Sequence, residues 1–376
     1  DAVSLEAHEL VAEQYRILSE ELLPALGHEG IRVLRRDDWT PNHQRWVRST
    51  FQREVLRVLS PMGLDPAHPF PRVQNKSLNY IVSVEGRDAF GRTSGTAVIH
   101  IPRSLPRLIP VPKSVAKGGY EFVLLSSIVQ AHIRELFPGM TVTGCHAFRV
   151  TRNSDLWVDD EEVDDLLHAL KGELNRRAFG DAVRLEVAES CPPETCQFLL
   201  GEFGLEPGDL YQVQGSVNLH RLSALPPLVD RPDLKYPPFV PRTPKAVAAA
   251  ASVFDVLRER DVLLHHPFES FGPVLEFLRQ SATDPNVLAI KMTVYRTGPH
   301  SPIADALVEA ARAGKEVTAV IELRARFDEE ANIDVATRLQ EAGANVVYGV
   351  VGHKTHCKML LVVRREGRTL RRYVHL

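Results

Sequence analysis

Val287-Leu-Ala-Ile-Lys-Met-Thr-Val-Tyr295 decides the fold of the C-terminal third of this chain. Its apolar residues fall at alternate positions, which is the period of a β-strand with one buried face. A loop leads to Ser301-Pro302, a helix cap followed by proline at the first helical position. The predicted helix ends at Gly314, and a second apolar strand follows over 316–323.

The same alternation of strand and helix continues toward the C-terminus. A helix is predicted over 329–342 and a strand over 345–351. This β-α-β-α-β order predicts a mostly parallel sheet that is covered by helices. Strands 356–363 and 370–376 are then expected to form an antiparallel hairpin around Glu366-Gly367. The fold class predicted here is α/β with a mixed sheet.

The remainder of the chain mixes helices and strands without a regular order. Helices are predicted over 4–26, 44–59, 120–136 and 160–175, and strands over 78–84, 95–101, 144–150 and 182–187. The proline-rich stretch 225–245 is the strongest linker signal, and a new domain is expected near residue 243. We therefore expect an α+β region over 28–242 and an α/β domain over 243–376. Residues 1–27 are expected to end a helical domain.

Composition excludes several classes of protein. The 376 residues are 44% hydrophobic, enough for two or three domains with cores, and the net charge of −3 argues against nucleic acid as a partner. Cys191 and Cys196 lack a second pair at zinc spacing, so free or buried thiols are expected. No apolar run approaches the ~18 residues of a membrane span, and no signal peptide is visible. A cytoplasmic protein is expected, with association to a membrane surface left open.

The predicted C-terminal hairpin carries an unusual density of titratable side chains. If its strands start as predicted, His356, Lys358, Tyr373 and His375 line one face. Burying imidazoles and an ammonium is costly unless that face opens on an anion. Solvated positions at the hairpin tip are expected for Arg364, Arg365 and Arg368.

Two arginines follow neighbouring strands of the predicted parallel sheet. Arg296 follows strand 287–295, and Arg326 follows strand 316–323. Ligands of open α/β sheets bind beyond the carboxyl ends of the strands, so both guanidinium groups should reach one rim. Arginine binds phosphate oxygens in a bidentate manner and stays charged. The doublet His265-His266 also ends an apolar run, and we leave open whether it lines the site or is structural.

Other reactive or acidic residues have an ordinary structural explanation. Cys357 should point away from His356 and is expected in the core rather than as a nucleophile. The acidic run 159–162 is expected to compensate a helix dipole rather than to bind metal. The run 328–330 is also expected to begin a helix, with a salt bridge to Arg326 as the alternative.

Several motifs in this chain resemble the type 1 polyphosphate kinase family. They are Lys291-Met-Thr-Val-Tyr-Arg296, Glu322-Leu-Arg-Ala-Arg-Phe-Asp-Glu-Glu-Ala-Asn332, Lys354-Thr-His-Cys-Lys358 and Arg372-Tyr-Val-His-Leu376. Further agreement lies upstream at 65–70, 149–156 and 262–271, so the resemblance covers nearly the whole chain. It implies a phospholipase D-like α/β catalytic domain after the α+β middle region.

The resemblance also implies an activity and a set of site residues. The activity is reversible transfer of the ATP γ-phosphate to inorganic polyphosphate, with His356 as the phosphorylated residue. His375 matches a second histidine, for proton transfer or orientation. Arg296 and Arg326 match the phosphate and Mg²⁺ end of the nucleotide site, and Lys358 is expected to hold phosphate oxygens as well. A homo-oligomer, either a dimer or a tetramer, is expected.

An arginine does not ligate Mg²⁺ well, because both are cationic and the metal prefers oxygen. We therefore expect Arg296 and Arg326 to hold phosphate oxygens that the metal also touches.

Two alternative functions stay open from the sequence. His356-x-Lys358 fits one half-site of a phospholipase D-like phosphodiesterase, although Val363 stands where that motif carries an aspartate. The family also has an N-terminal helical domain and a second catalytic-type domain that this sequence is expected to lack. A polyanion-binding module without turnover is therefore the other alternative.

Overall fold

A computed structural model describes residues 2–64, 69–86, 95–153, 180–296, 298, 301–323, 325, 328–349 and 353–376. The described residues form two compact units, the first ending at Tyr236 and the second beginning at Pro237. The predicted helix 160–175 and the acidic run 159–162 lie outside the described residues. None of the helices in the described part of the chain is long and apolar enough to cross a membrane.

The first unit contains two sheets. Its strands are β1 (Ile31–Leu34), β2 (Pro61–Gly63), β3 (Asn79–Glu85), β4 (Thr96–His100), β5 (Leu108–Pro110), β6 (Tyr120–Leu124), β7 (Thr141–Arg152), β8 (Ala182–Ala188) and β9 (Leu210–Val213). Six strands pair in the order β2-β4-β3-β7-β8-β9, and β1-β6-β5 form a second sheet. The pairs β1–β6 and β8–β9 are parallel and the other pairs are antiparallel. The predicted α+β class of this region is confirmed.

Helices of the first unit pack against these sheets. They are α1 (Ala2–Arg16), α2 (Leu23–His28), α3 (Pro41–Thr50), α4 (Leu125–His132), α5 (Pro193–Phe203) and α6 (Leu225–Leu228). A π-helical turn joins α1 to α2, which agrees with the predicted helix over 4–26. Further helical turns extend α3 to Val58, which agrees with the predicted helix over 44–59. Val47 and Phe51 are completely buried with Tyr80 in the core between helices and sheet.

The predicted helix over 120–136 is wrong in its first five residues. Tyr120–Leu124 is strand β6, and helix α4 begins only at Leu125. The cause is tertiary pairing, because β6 lies between β1 and β5. Gly119 has φ of +67°, and a Cβ there would lie 2.3 Å from the Gly30 carbonyl oxygen. Only glycine allows this approach of the two chain segments.

The second unit is built on one five-stranded mixed sheet. Its strands are β10 (Val287–Val294), β11 (Glu316–Ile321), β12 (Asn345–Tyr348), β13 (Leu360–Glu366) and β14 (Thr369–His375), and its helices are α7 (Lys245–Ala248), α8 (Val253–Glu259), α9 (Gly272–Thr283), α10 (Pro302–Arg312) and α11 (Glu329–Glu341). The order is β12-β11-β10-β13-β14, with β10, β11 and β12 parallel and the hairpin antiparallel. This confirms the predicted α/β class.

Local sequence explains the boundaries of these elements. The Ser301 hydroxyl accepts a hydrogen bond from the Ala304 amide, which caps α10 before Pro302. The chain leaves α10 through Gly314, whose φ of +80° is accessible mainly to glycine. Completely buried apolar residues such as Ile290 and Leu307 join the sheet to its helices.

The hairpin differs from its prediction in both start and register. Strand β13 begins at Leu360 rather than at residue 356, and Glu366 pairs with Thr369. His375 therefore lies opposite Leu360, two residues from the predicted partner Lys358. The expected single face with His356 and Lys358 is wrong, because neither residue is in the strand. The apolar side chains on that face of the hairpin are buried in the core of the second unit.

Candidate functional site

The segment 353–359 enters β13 without regular strand pairing along its length, and side chains of the sheet hold it in place. The Thr293 hydroxyl lies 2.6 Å from the Cys357 carbonyl oxygen and accepts a hydrogen bond from the Met359 amide at 2.8 Å. The Thr355 amide donates to the buried Glu322 carboxylate at 2.7 Å. These contacts fix the backbone on both sides of His356, whose side chain is exposed.

The aromatic ring of Tyr295 brings the candidate site residues together. It lies at the carboxyl end of β10, and the His356 ring meets it edge-on with ring centres 4.8 Å apart. The Lys358 ammonium lies 4.2 Å from the centre of the same ring and donates to the His356 carbonyl oxygen at 2.7 Å. The structure thus brings His356 and Lys358 together through Tyr295, which the sequence analysis did not select.

Arg296 lies on the same rim of the sheet. Its guanidinium carbon is 5.5 Å from the centre of the Tyr295 ring, and its Nε forms a 2.9 Å ion pair with Asp328. Asp328 precedes α11, so this ion pair ties the end of β10 to the start of the helix after β11. Arg326 lies outside the described residues, and its predicted place on this rim stays a prediction.

Asn332 is a second residue that the sequence analysis did not select. It is completely buried in α11, and its amide nitrogen donates to the Tyr295 carbonyl at 2.7 Å and to the Glu322 carbonyl at 2.9 Å. One side chain therefore joins the backbones of Tyr295 and Glu322. A polar residue among the apolar core positions of a helix was the available signal, since buried amides are retained where they are hydrogen-bonded.

His375 lies in a different environment at the end of β14. It is half-buried, and the Phe271 ring lies 6.3 Å from its imidazole between centres. Burial, and then the neighbouring His266, lower the pKa of His375 below its ordinary value of 6.5. His266 donates from Nδ1 to the Glu269 carbonyl at 2.9 Å. Of the doublet His265-His266, the second histidine thus lies near a predicted site residue.

Two expectations about neighbouring residues are wrong. Arg364 is not a solvated tip residue, because it is largely buried and forms ion pairs with Asp284 at 2.8 Å and Glu366 at 3.0 Å. Arg365 and Arg368 are exposed as predicted. Cys357 is exposed rather than part of the core, because the segment that carries it is not a strand.

The described residues do not offer a protein-built Mg²⁺ site. No cluster of three His, Cys, Asp or Glu side chains suited to a metal ion occurs among them. Asp328 is one carboxylate on this rim, and it is paired with Arg296. Mg²⁺ commonly keeps waters and is held by substrate phosphates with one or two carboxylates. The described residues would therefore suit a metal ion that is held chiefly by the oxygens of a bound anion.

Arranged in this way, the residues suit the binding of an anion beside a nucleophile. Two cations, Lys358 and Arg296, and the exposed imidazole of His356 all lie close to the ring of Tyr295. Guanidinium and ammonium groups stabilise phosphate oxygens, and a neutral imidazole is a competent nucleophile. The cluster thus contains the groups needed for phosphoryl transfer.

Comparison with known proteins agrees with this chemistry. Residues 42–225 match the polyphosphate kinase middle domain, and residues 252–376 match polyphosphate kinase C-terminal domain 1. The chain is 58% identical over 369 residues to a polyphosphate kinase of Pseudomonas aeruginosa, covering 98% of this chain and 54% of the relative. A polyphosphate kinase of Neisseria meningitidis serogroup B is 54% identical over 370 residues, again 98% of this chain and 54% of the relative.

A solved structure shows the same architecture. The crystal structure of polyphosphate kinase from Porphyromonas gingivalis matches with a TM-score of 0.77 at 26% identity, covering 97% of this chain and 53% of that chain. The chain thus spans about half the length of these relatives. The resemblance inferred from the sequence motifs is confirmed, and the chain belongs to the polyphosphate kinase family.

Proposed function

We propose that this chain carries the phosphoryl-accepting half of an ATP:polyphosphate phosphotransferase, with His356 as the residue that becomes phosphorylated. The supporting observation is the exposed His356 imidazole, placed against Tyr295 with two cations beside the same ring. The substrates are MgATP and inorganic polyphosphate, so the magnesium ion enters with the nucleotide.

The proposed reaction has two steps. In the first, the lone pair of a His356 ring nitrogen forms a nitrogen–phosphorus bond to the γ-phosphorus as the bond to the β-phosphate oxygen breaks, and ADP leaves. In the second, a terminal oxygen of polyphosphate forms a bond to the same phosphorus as the nitrogen–phosphorus bond breaks. The electron pair returns to the His356 ring nitrogen, and the polymer is one phosphate longer. A nitrogen–phosphorus bond keeps a high transfer potential, which allows both directions.

Lys358 and Arg296 would hold the equatorial phosphate oxygens, and catalysis would rest on positioning and electrostatics. Arg326 is proposed for the same rim. The Arg296–Asp328 ion pair supports a fixed guanidinium direction. The lowered pKa of His375 keeps that imidazole neutral near pH 7, which suits a group that orients a partner or accepts a proton.

We also propose a domain organisation, a cellular location and an oligomeric state for the protein. Residues 1–27 would end an N-terminal helical domain, 28–242 would form the middle domain, and 243–376 would form the first catalytic domain. The enzyme would be cytoplasmic and would work as a homo-oligomer, a dimer or a tetramer.

Labelling of the full-length protein with [γ-³²P]ATP tests the central assignment. His356→Ala should abolish acid-labile, base-stable labelling and polymer synthesis together. His353→Ala is the matched control, because His353 is exposed in the same segment and should leave the label in place. Labelling that survives His356→Ala, or that disappears only with His353→Ala, excludes His356 as the acceptor.

Incubation of the full-length protein with ATP and short polyphosphate, read on a gel, separates the two other functions. A phosphodiesterase would release an alcohol from a phosphodiester without ATP, and a polyanion-binding module would retain polyphosphate on a gel without extending it. Either result with the full-length protein would replace the proposed transfer reaction.

A further inference from the structure

A cavity of about 820 Å³ opens on the first unit and is lined by residues of that unit alone. Its wall combines the turn before α3, one side of α3 and the end of α4. Three arginines, Arg36, Arg45 and Arg48, line it, together with Asp37, Trp39 and His132. The volume lies within the range of small-molecule sites in proteins, roughly 300–1,000 Å³.

The positive charge of this cavity is poorly neutralised by the protein. Arg45 donates to the neutral Asn42 side chain, and within the described ranges Arg36 and Arg45 have no ion pair. Arg48 approaches Glu135 only at 4.0 Å. The Glu135 carboxylate also accepts hydrogen bonds from His132 at 2.9 Å and from Gln52 at 3.1 Å. Asp37 is the one carboxylate among the lining residues, which include three arginines.

Trp39 supplies an aromatic part of the cavity wall. Its side chain is nine-tenths buried, and its indole N–H has no hydrogen-bond acceptor in the part of the chain that the structure describes. Buried N–H groups in proteins nearly always have an acceptor, and this donor is one of the exceptions among the described residues.

We propose that this cavity binds a short chain of condensed phosphates. A phosphate chain carries several anionic oxygens in a row, which matches guanidinium groups supplied by two separate segments of the chain. The choice of condensed phosphate over other polyanions rests on the proposed function, whereas the cavity and its charge do not. The site would hold polyphosphate on the first unit, independently of phosphorylation at His356.

Isothermal titration of the full-length protein with tripolyphosphate tests this site. The His356→Ala background removes turnover, so binding is measured without reaction. Adding Arg36→Gln and Arg45→Gln should remove one class of binding sites or weaken it by about tenfold, as expected for lost charge-assisted hydrogen bonds. Tripolyphosphate should also shift the fluorescence of Trp39, and Trp39→Phe should lose that shift.

Arg53→Gln is the matched control, because Arg53 is exposed on the same helical stretch and does not line the cavity. Like either single substitution at Arg36 or Arg45, it removes one positive charge, and it should leave tripolyphosphate binding unchanged. In a chain with native His356, the double arginine variant should still accept label from ATP, so failure of this site and failure of the phosphohistidine are read separately. Equal weakening by Arg53→Gln, or ATP binding as tight as tripolyphosphate binding with the same dependence on Arg36 and Arg45, overturns the proposal.

Discussion

His356 and His375 occupy contrasting environments within the second unit. His356 is exposed on an irregular segment that is held by side-chain contacts from Thr293 and Glu322. His375 ends a strand, lies opposite Leu360 in the ladder, and is half-buried beside Phe271. An exposed imidazole on a locally anchored loop can approach and leave a phosphate. The sheet holds the His375 imidazole in one position, and burial lowers its pKa, which favours the neutral form.

The largest effect that separates the two histidines should be on turnover. We expect His375→Ala in the full-length enzyme to lower kcat for polymer synthesis by about 10²–10⁴-fold, the range of a lost general acid–base or orienting group. Labelling of His356 by ATP should nevertheless persist at long times. Steady-state rates and the extent of ³²P incorporation check this. If His375→Ala abolishes labelling as completely as His356→Ala, the two residues do not have separate roles.

The anchoring of the His356 segment should matter next. Glu322→Ala removes the carboxylate that accepts from the Thr355 amide, and a displacement of a nucleophile by about 1 Å can cost up to ~10²-fold in rate. We expect kcat to fall by about 10–10²-fold and the Thr355 amide to exchange faster with solvent.

Glu322→Gln is the control for this anchor, because an amide oxygen can still accept the hydrogen bond. It should restore most of the rate and slow amide exchange again. Equal loss in both variants would mean that the charge of Glu322, rather than its position, supports activity.

The two histidines also show what the sequence could and could not predict. Period-two alternation located β10 and β11, and the Ser301-Pro302 cap located α10, because these signals are local. The start of β13 could not be predicted in this way, because the residue types at 354–359 do not distinguish a paired strand from an irregular segment. The register moved by two residues because the turn closes at Gly367 and Arg368 rather than one residue earlier.

The strand order predicted one part of the candidate site. Arg296 was found because the carboxyl ends of parallel strands share one rim. Tyr295 and Asn332 were missed, since an aromatic at a strand end and an amide in a helix are ordinary in sequence. Their roles depend on contacts between residues far apart in the chain, such as Asn332 with the Tyr295 carbonyl.

A smaller effect is expected on the pH dependence of the free energy of unfolding. The pKa of His375 is lowered from 6.5 in the folded protein, so the unfolded chain binds its proton at higher pH. The contribution of neutral His375 to the free energy of unfolding is complete above pH 6.5. It is lost as the pH falls through the folded-state pKa of His375. His375→Gln should therefore lose less stability on acidification, by at most ~1.4 kcal/mol per pH unit in that window.

Calorimetric melting from about pH 8 to about pH 5 measures this difference. His100 and His146 have pKa values lowered chiefly by burial, so the variant should still be destabilised by acid, with a shallower slope. An unchanged slope would show that His375 titrates as it does in the unfolded chain.

The smallest effect should come from the aromatic ring that joins the cations to His356. Tyr295→Leu removes the ring face beneath the Lys358 ammonium, a contact worth about 0.5–1 kcal/mol at an exposed site. We expect kcat/KM for ATP to fall a few-fold. Tyr295→Phe keeps the ring and should behave like the parent enzyme, because the ring supplies the contacts to His356 and Lys358. A loss in Tyr295→Phe as large as in Tyr295→Leu would transfer the role from the ring to the hydroxyl, and would make Tyr295 a hydrogen-bonding residue of the site.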